Sequence, residues 1–483
     1  MTAETVRVRI APSPSGYLHV GTARTAIFNW LYARKHGGAF LIRIEDTDAE
    51  RIDNSLVQPI LDALTWLGLE SDEPVQYQSK RHELHREYVG RFIASGHGYR
   101  CFCTKERLAV MREQQQRDKQ PPRYDRHCAN LSESDVTELL AENTPHVIRL
   151  RVPEGGVSYQ DMILGDISRD SFDIEDFVIA RADGSALYNF AVVVDDHDMR
   201  ITHVLRGNDH ITNTFKQILI YRALELPVPE FGHVPLLLRP DKRKVSKRLG
   251  DKDVAEYGAE GILPQTMFNY LCLLGWSPKD GREIMLREEI IEAFSAEGIN
   301  ASNPVFDEPK LVAFNKEHIK TAPVGQLYDV IAPELVSAGL IDTNWLELDG
   351  NRRYVECVID MMRERLRYTR DFVDQTRFFF SDEYTYDEQG AAKQFVPEAA
   401  DRLRALAARF ERAEPFDHDT LESELGALSD DLEIKRAALI HPTRLAVSGM
   451  TVGPGLFDLL VTIGRERTVE RMRRAAEYID SRG

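Results

Sequence analysis

No apolar run in this 483-residue chain approaches the ~18 residues that a membrane-spanning helix requires. Cysteine is scarce and odd in number: Cys101, Cys103, Cys128, Cys272 and Cys357, five in all. An odd handful in a chain this long is not a disulfide framework. Basic charge is short too, with 61 Lys and Arg against 78 Asp and Glu, for a net charge of −17. That excludes a protein that coats nucleic acid non-specifically, but not a specific RNA partner met by local basic patches and sensitive to salt. There is no internal repeat and no low-complexity tail. The first residues, Met-Thr-Ala-Glu-Thr, are polar and lead straight into a strand, so no secretory leader is expected and the expected location is cytoplasmic. What remains is an ordinary globular composition, 43% apolar and 29% charged, and a length that suggests roughly three domains or more.

The richest stretch runs from Val6 to Gly21. Val6, Val8 and Ile10 alternate with Arg7 and Arg9, the period of a strand. Pro12, Pro14 and Gly16 then force a turn. From Thr22 a helix is predicted, because Ala23, Ala26, Ile27, Trp30 and Leu31 fall on one face, and Gly37-Gly38 ends it. A second strand, 40–44, leads into Glu45-Asp46-Thr47-Asp48. Strand, loop, helix and strand in this order open a nucleotide-binding α/β domain. His19 and Gly21 stand just before the helix, where free N–H groups and the helix dipole favour a phosphate; Gly21 lets a nucleotide approach the backbone. On His-Val-Gly alone, a tight turn with a surface histidine is the better reading.

Further helices are predicted over 55–66 and 82–93, and a polar one after Cys103 that ends at Pro121-Pro122. Strand-like runs follow at 146–152, 173–181 and 187–194, with a helix over 214–224. Region 100–190 reads as an insertion between two halves of the nucleotide domain. Beyond about Asp251 strands fade, and after Ala322 the chain reads as wholly helical, including 354–368, 398–410 and 467–479. Residues 240–252, Pro-Asp-Lys-Arg-Lys-Val-Ser-Lys-Arg-Leu-Gly-Asp-Lys, are the most basic stretch of an acidic chain. Most such runs are solvated loops.

Taken together these strings resemble a known family. Pro-Ser-Pro-Ser-Gly-Tyr-Leu-His-Val-Gly at 12–21 resembles the first signature of class I aminoacyl-tRNA synthetases, in the form used by the glutamyl and glutaminyl branch, with Thr22 in its last position. Ile44-Glu-Asp-Thr-Asp48 belongs to the same branch, and Lys244-Val-Ser-Lys-Arg248 resembles the second signature. Leu205-Arg-Gly-Asn-Asp-His-Ile-Thr-Asn-Thr214 is similar to another family string. Pro442-Thr-Arg444-Leu-Ala446 and Gly453-Pro-Gly455 resemble the all-helical anticodon-binding region of the bacterial glutamyl enzymes.

The resemblance implies activation of L-glutamate by ATP with Mg²⁺ and transfer to the tRNA for glutamate, by a monomer. A carboxylate is already a nucleophile at neutral pH, so adenylation needs positioning and positive charge rather than a general base. It implies His19, Lys244 and Lys247 as catalytic groups. Pro12, Ser13, Gly16, His19, Gly21, Thr22, Lys244, Ser246 and Lys247 would hold ATP. Arg9, Ala11, Ser13, Glu45, Tyr188 and Arg206 would hold glutamate, with Arg9, Ser13 and Arg206 on its acid groups, Glu45 on its ammonium and Tyr188 closing the pocket. Arg365 is the position that reads the third anticodon base, although a helix-surface arginine commonly meets only phosphate or solvent. The implied fold is a doubly wound Rossmann-like domain with an inserted α+β domain, followed by an all-α half. Residues 1–100 and 191–250 form the catalytic halves, 101–190 an acceptor-end domain, 251–322 a stem-contact domain, and 323–483 the anticodon region, split near 382. Charging of the glutamine tRNA as well, a nucleotidyltransferase without tRNA, and a silent RNA-binding paralogue are the alternatives.

Two clusters invite a metal reading. Some members of the family hold zinc at the positions of Cys101, Cys103 and Cys128, with a later histidine that is Asn130 here. His127 or Tyr124 would then be the fourth ligand of a structural Zn²⁺, and a site that holds no metal is the equal alternative. Asp195-Asp196-His197-Asp198 is the other cluster; four adjacent residues at a strand end cannot all face one ion, and Mg²⁺ is expected to arrive with ATP.

Overall fold

The computed structural model describes residues 5–47, 52–245 and 252–482. It divides into two compact units, one of residues up to 258 with 264–308, the other of 259–263 with 309–483.

The first unit is built on a parallel sheet. β1 (Arg7–Ile10) pairs with β2 (Ala39–Ile44), which pairs with β3 (Gln76–Tyr77). The helix Val20–Lys35 is the crossover between β1 and β2. After β3 come β4 (Gly98–Cys101), β5 (Val147–Leu150), the hairpin β6 (Gly156–Asp161) and β7 (Gly165–Asp170), and β8 (Val178–Arg181). β4, β5 and β8 form a separate antiparallel sheet. β9 (His203–Gly207) and β10 (Glu230–Val234) then resume the parallel pattern across the helix Ile211–Ala223. Thr202, just before β9, donates its backbone N–H to the Arg7 carbonyl at 2.9 Å. The order across the two halves is therefore β3-β2-β1-β9-β10, doubly wound, with its switch point between β1 and β9. The β6–β7 hairpin joins the outer edge beside β10.

The expected strand over 187–194 is a helix, Tyr188–Asp198. Val192, Val193 and Val194 favour strands intrinsically. Here Phe190, Ala191 and all three valines are buried, so the helix is covered around its circumference and loses the polar face that would have shown its period. The expected helix over 354–368 ends at Met362, and a 3₁₀ turn, Arg363–Arg365, follows it. The β6–β7 hairpin had no counterpart in the sequence reading, because its Ser, Gln, Asp and Gly residues carry little strand signal.

The second unit is helical. Its core gathers Leu327, Ile331, Val355, Ile359 and Phe372 with Leu403, Leu406, Phe410, Leu425, Leu460 and Met472. The amphipathic helices Pro397–Arg412 and Arg465–Asp480 supply much of it; proline opens the first, where its missing N–H costs nothing. A cavity of about 960 Å³ lies in this unit, lined by Trp345, Tyr354, Phe380 and Arg467 among others. It holds none of the residues singled out from the sequence.

Candidate active site

The segments that leave the carboxyl ends of β1, β2, β9 and β10 carry the site, which is where open α/β sheets bind ligands. After β1, the loop holding Ala11, Pro12, Ser13 and Gly16 is pinned to its neighbours. The Pro12 carbonyl accepts from Glu45 N–H at 3.0 Å and the Pro14 carbonyl from Asp53 N–H at 3.0 Å.

His19 caps the helix Val20–Lys35. Its Nδ1 accepts from the Gly21 and Thr22 N–H groups at 3.1 and 3.3 Å. The neutral ring therefore carries its proton on Nε2, which lies 3.1 Å from Thr22 Oγ1. Two N–H groups that the sequence reading left for a phosphate are thus taken by His19 itself. Gly21 has a reason of its own: a Cβ there would stand 3.1 Å from the imidazole.

The lysine stretch is tied at both ends. Val245 N–H donates to the Leu237 carbonyl, and the Lys244 ammonium meets Asp209 at 2.7 Å. On the far side, Asp253 bridges to His19 and Val254 N–H donates to the Leu18 carbonyl at 3.1 Å. Ser246 and Lys247 lie outside the described residues.

Arg9 and Arg206, the two expected carboxylate forks, are both buried but differ in what surrounds them. Arg9 is already bidentate to Asp196, Nε to Oδ1 at 3.0 Å and Nη2 to Oδ2 at 3.1 Å. Asp196 also accepts from Arg43 Nη1 at 2.5 Å, and Arg43 reaches Glu45 at 3.2 Å. Burial pushes the Asp196 carboxyl up, but the charges of Arg43 and Arg9 outweigh it and hold it down at about 2. Burial raises Glu45, against the pull of Arg43 and Arg9. Among the described residues the hydrogen-bond partners of Arg206 are neutral: Nη2 donates to Thr214 at 2.6 Å and Gln217 at 2.8 Å, and Nε to His233 at 3.4 Å. Its Nη1 is buried with no hydrogen-bond partner among the described residues. Burial lowers the Arg206 pKa, an arrangement an incoming anion relieves. Tyr188, half exposed, opens its helix beside these groups, with its hydroxyl 3.2 Å from His210 Nδ1. Burial, then Glu45, push this phenol up to about 12.

Sequence reasoning missed Arg43 and the role of Asp196. Asp195 is buried among protein partners. It is held by Arg81 at 2.7 Å, His85 at 2.8 Å and Gln78 at 2.8 Å. These partners also offset the unfavourable placing of two carboxylates at a helix C-terminus.

In the inserted sheet, the sulfurs of Cys101, Cys103 and Cys128 lie within 4.8 Å of one another. The Tyr124 hydroxyl sits 3.2 Å from Cys101 Sγ and 3.4 Å from Cys103 Sγ, and accepts from Cys128 N–H at 3.1 Å. His127 is exposed and not part of this group. Three sulfurs and a phenolic oxygen make a donor set of the right number for a closed tetrahedral site. Arg149 lies 4.0 Å over the Tyr124 ring and Arg107 donates to Cys103 Sγ at 3.5 Å, so positive charge backs the thiolates such a site needs. In the helical unit, Arg365 is exposed and close enough to Arg444 for its charge to lower that guanidinium's pKa after burial does so.

Residues 5–313 match the family described as tRNA synthetases class I (E and Q), catalytic domain, and 326–476 match an anticodon binding domain. The chain is 43% identical over 477 residues to Glutamate--tRNA ligase 1 of Caldanaerobacter subterraneus, covering 98% of each chain. It is 42% identical to Glutamate--tRNA ligase of Moorella thermoacetica, again covering 98% of each. Among solved structures it is similar to a glutamate tRNA ligase from Elizabethkingia meningosepticum in complex with its amino acid. The TM-score is 0.87 at 30% identity, over 99% of this chain and 100% of that one.

Proposed function

The chain belongs to the class I tRNA synthetases of the E and Q branch, and from that premise we propose that it is a glutamate–tRNA ligase working through a glutamyl-adenylate. The observation that carries the choice of amino acid is Arg206, a buried guanidinium with no carboxylate partner and one idle N–H edge among the described residues. A donor buried without a partner costs about 1–3 kcal/mol, which a substrate carboxylate recovers. Arg9 and Ser13 flank the acid groups, Glu45 takes the ammonium and Tyr188 closes over them. ATP, bringing Mg²⁺, lies along Pro12, Ser13, Gly16, Gly21 and Thr22. The Nε2–H of His19 and the ammonium group of Lys244 face the charge that gathers on the α-phosphate and the leaving pyrophosphate, and Lys247, outside the described residues, is given the same task by the resemblance. The α-carboxylate oxygen attacks phosphorus, pyrophosphate leaves, and the terminal ribose hydroxyl of tRNA then displaces AMP from the acyl carbon.

Structural zinc would be held by Cys101, Cys103, Cys128 and Tyr124, tying the loop that carries Tyr124 to β4. The five-part division read from the sequence, a monomeric state and a cytoplasmic location belong to the same proposal.

We also propose that the enzyme prefers the glutamate tRNA. An unstacked C offers O2 and N3 as acceptors to Arg365, whereas at the same edge G presents N1–H and its exocyclic amine, donors that a guanidinium there cannot pair. The test is aminoacylation of separate glutamate and glutamine tRNA transcripts with each amino acid. Glutamate charging of the glutamate transcript is expected to dominate, and Arg365→Gln to narrow kcat/KM between transcripts by roughly 1–3 kcal/mol. Equal charging of both by the unaltered enzyme refutes the preference, and charging by glutamine refutes the pocket.

A further inference from the structure

Behind Arg206 lies a second buried pair. His233, on β10, places Nδ1 2.5 Å from Asp161 Oδ2, at the end of β6. The other ring nitrogen, Nε2, is 2.8 Å from Thr214 Oγ1 and 3.4 Å from Arg206 Nε. Both His233 and Asp161 are buried.

Only one tautomer fits these neighbours. A carboxylate has no proton to give, so His233 must hold its own on Nδ1 and donate it to Asp161. Nε2 is then a bare acceptor. It accepts from the Thr214 hydroxyl, which in turn accepts from Arg206 Nη2 at 2.6 Å. It also accepts from Arg206 Nε. The alternative ring, with its proton on Nε2, sets an N–H against the guanidinium and a bare nitrogen against the carboxylate. Asp161 is itself fixed: its Oδ1 accepts from the Ile163, Leu164 and His233 N–H groups at 2.9, 3.0 and 3.2 Å.

We infer that Asp161 and His233 are positioning residues for Arg206. The pair fixes an acceptor behind the guanidinium, commits its Nε and Nη2 edges to protein and leaves Nη1 for the substrate acid. No carboxylate among the described residues touches Arg206 directly, so its charge is not spent on an ion pair with them. Asp161 acts one imidazole away. The inference rests on the proposed role of Arg206 toward glutamate.

Asp161→Asn tests it. The amide oxygen can still accept from the turn N–H groups, but its NH₂ faces Nδ1 and drives the His233 proton to Nε2, against Arg206. We expect KM for glutamate to rise about 10- to 100-fold, the range one misplaced charged hydrogen bond covers, with KM for ATP changed less than about twofold. His233→Leu should do the same, and His233→Gln, whose side-chain oxygen can stand near Nε2, should recover most of the affinity. Isothermal titration of glutamate and of ATP onto each folded variant gives the same split if catalysis is too slow to follow. Unchanged glutamate affinity in Asp161→Asn and His233→Leu overturns the inference, as does an equal loss for both substrates. If the unaltered enzyme does not charge glutamate at all, the functional reading fails instead, so the two failures are distinct.

Discussion

Replacing Asp196 with Asn separates what holds the catalytic unit together from what binds substrate. Asp196 receives two bonds from Arg9, at 3.0 and 3.1 Å, and one from Arg43, at 2.5 Å, and all three side chains are no more than 5% exposed. Asn keeps the volume but brings one acceptor and an NH₂ group that must point at one guanidinium. Among the described residues Arg43 then retains Glu45 at 3.2 Å and Asp195 at 4.0 Å as charged partners, with the Met199 sulfur at 3.5 Å. Removing one partner of a buried ion pair costs about 3–5 kcal/mol, a large share of the roughly 5–15 kcal/mol that stabilises a domain. Urea unfolding should show that loss in the transition of the first unit. The acid limb should change as well. The folded-state pKa of about 2 lies below the ordinary 3.8, so this contribution is present above pH 4 and lost as pH falls from about 4 to 2. Asp196→Asn therefore flattens that limb. Asp198→Asn is the control, since its carboxylate is about half exposed and, among the described residues, pairs with Arg81 alone. A loss under about 1 kcal/mol for Asp196→Asn, or an equal loss for the control, refutes the bridge as the support of the pocket.

Arg206→Gln should weaken use of glutamate by about 10- to 150-fold in kcat/KM, with ATP affinity nearly unchanged, because a charged hydrogen bond is worth roughly 1.5–3 kcal/mol; equal shifts in both substrates count against the assignment. Protein purified without chelators should carry close to one zinc per chain by elemental analysis, and Cys103→Ser should lose most of it, whereas under about a tenth of an equivalent in the unaltered protein means the site holds no metal. Burial lowers His318 to about 4, below its ordinary 6.5, so the unfolded chain takes up a proton there that the folded chain refuses. Stability of the helical unit should fall with pH across that window, and His318→Gln should flatten the fall in denaturant midpoints.

The strand–loop–helix–strand unit was legible because each part has a strong local cause: alternation in β1, the two prolines, one apolar helix face. The lysine stretch was legible as charge. What stayed hidden was pairing at long range. Arg9 and Asp196 are 187 positions apart, and nothing local to either announces the other. Asp196 was harder still, because the valines before it read as a strand and placed it at a strand end. The capping role of His19 was missed for a different reason: the same residues that suggest a phosphate site also satisfy the helix N-terminus without one. The three cysteines were legible from spacing, but choosing Tyr124 over His127 needed the fold to bury one and expose the other.

The two arginines assigned from one resemblance are therefore physically unlike. Arg9, with both its Nε and Nη2 given to Asp196, is a rigid wall of the pocket. Arg206 is the uncommitted charge. Arg81 is shared by Asp195 and Asp198, and Arg9 and Arg43 converge on Asp196, with Arg43 also near Glu45, whereas the partners of Arg206 among the described residues are neutral. In the proposed reading, the positive charge of Arg206 meets the negative charge of the glutamate side chain. Glutamine carries none and would leave that charge buried and unpaired, with its amide N–H groups as further donors. In a buried site such a mismatch costs far more than the loss of one hydrogen bond in water. The proposed selection against glutamine therefore rests on Arg206 and on the neutral partners that the described residues give it.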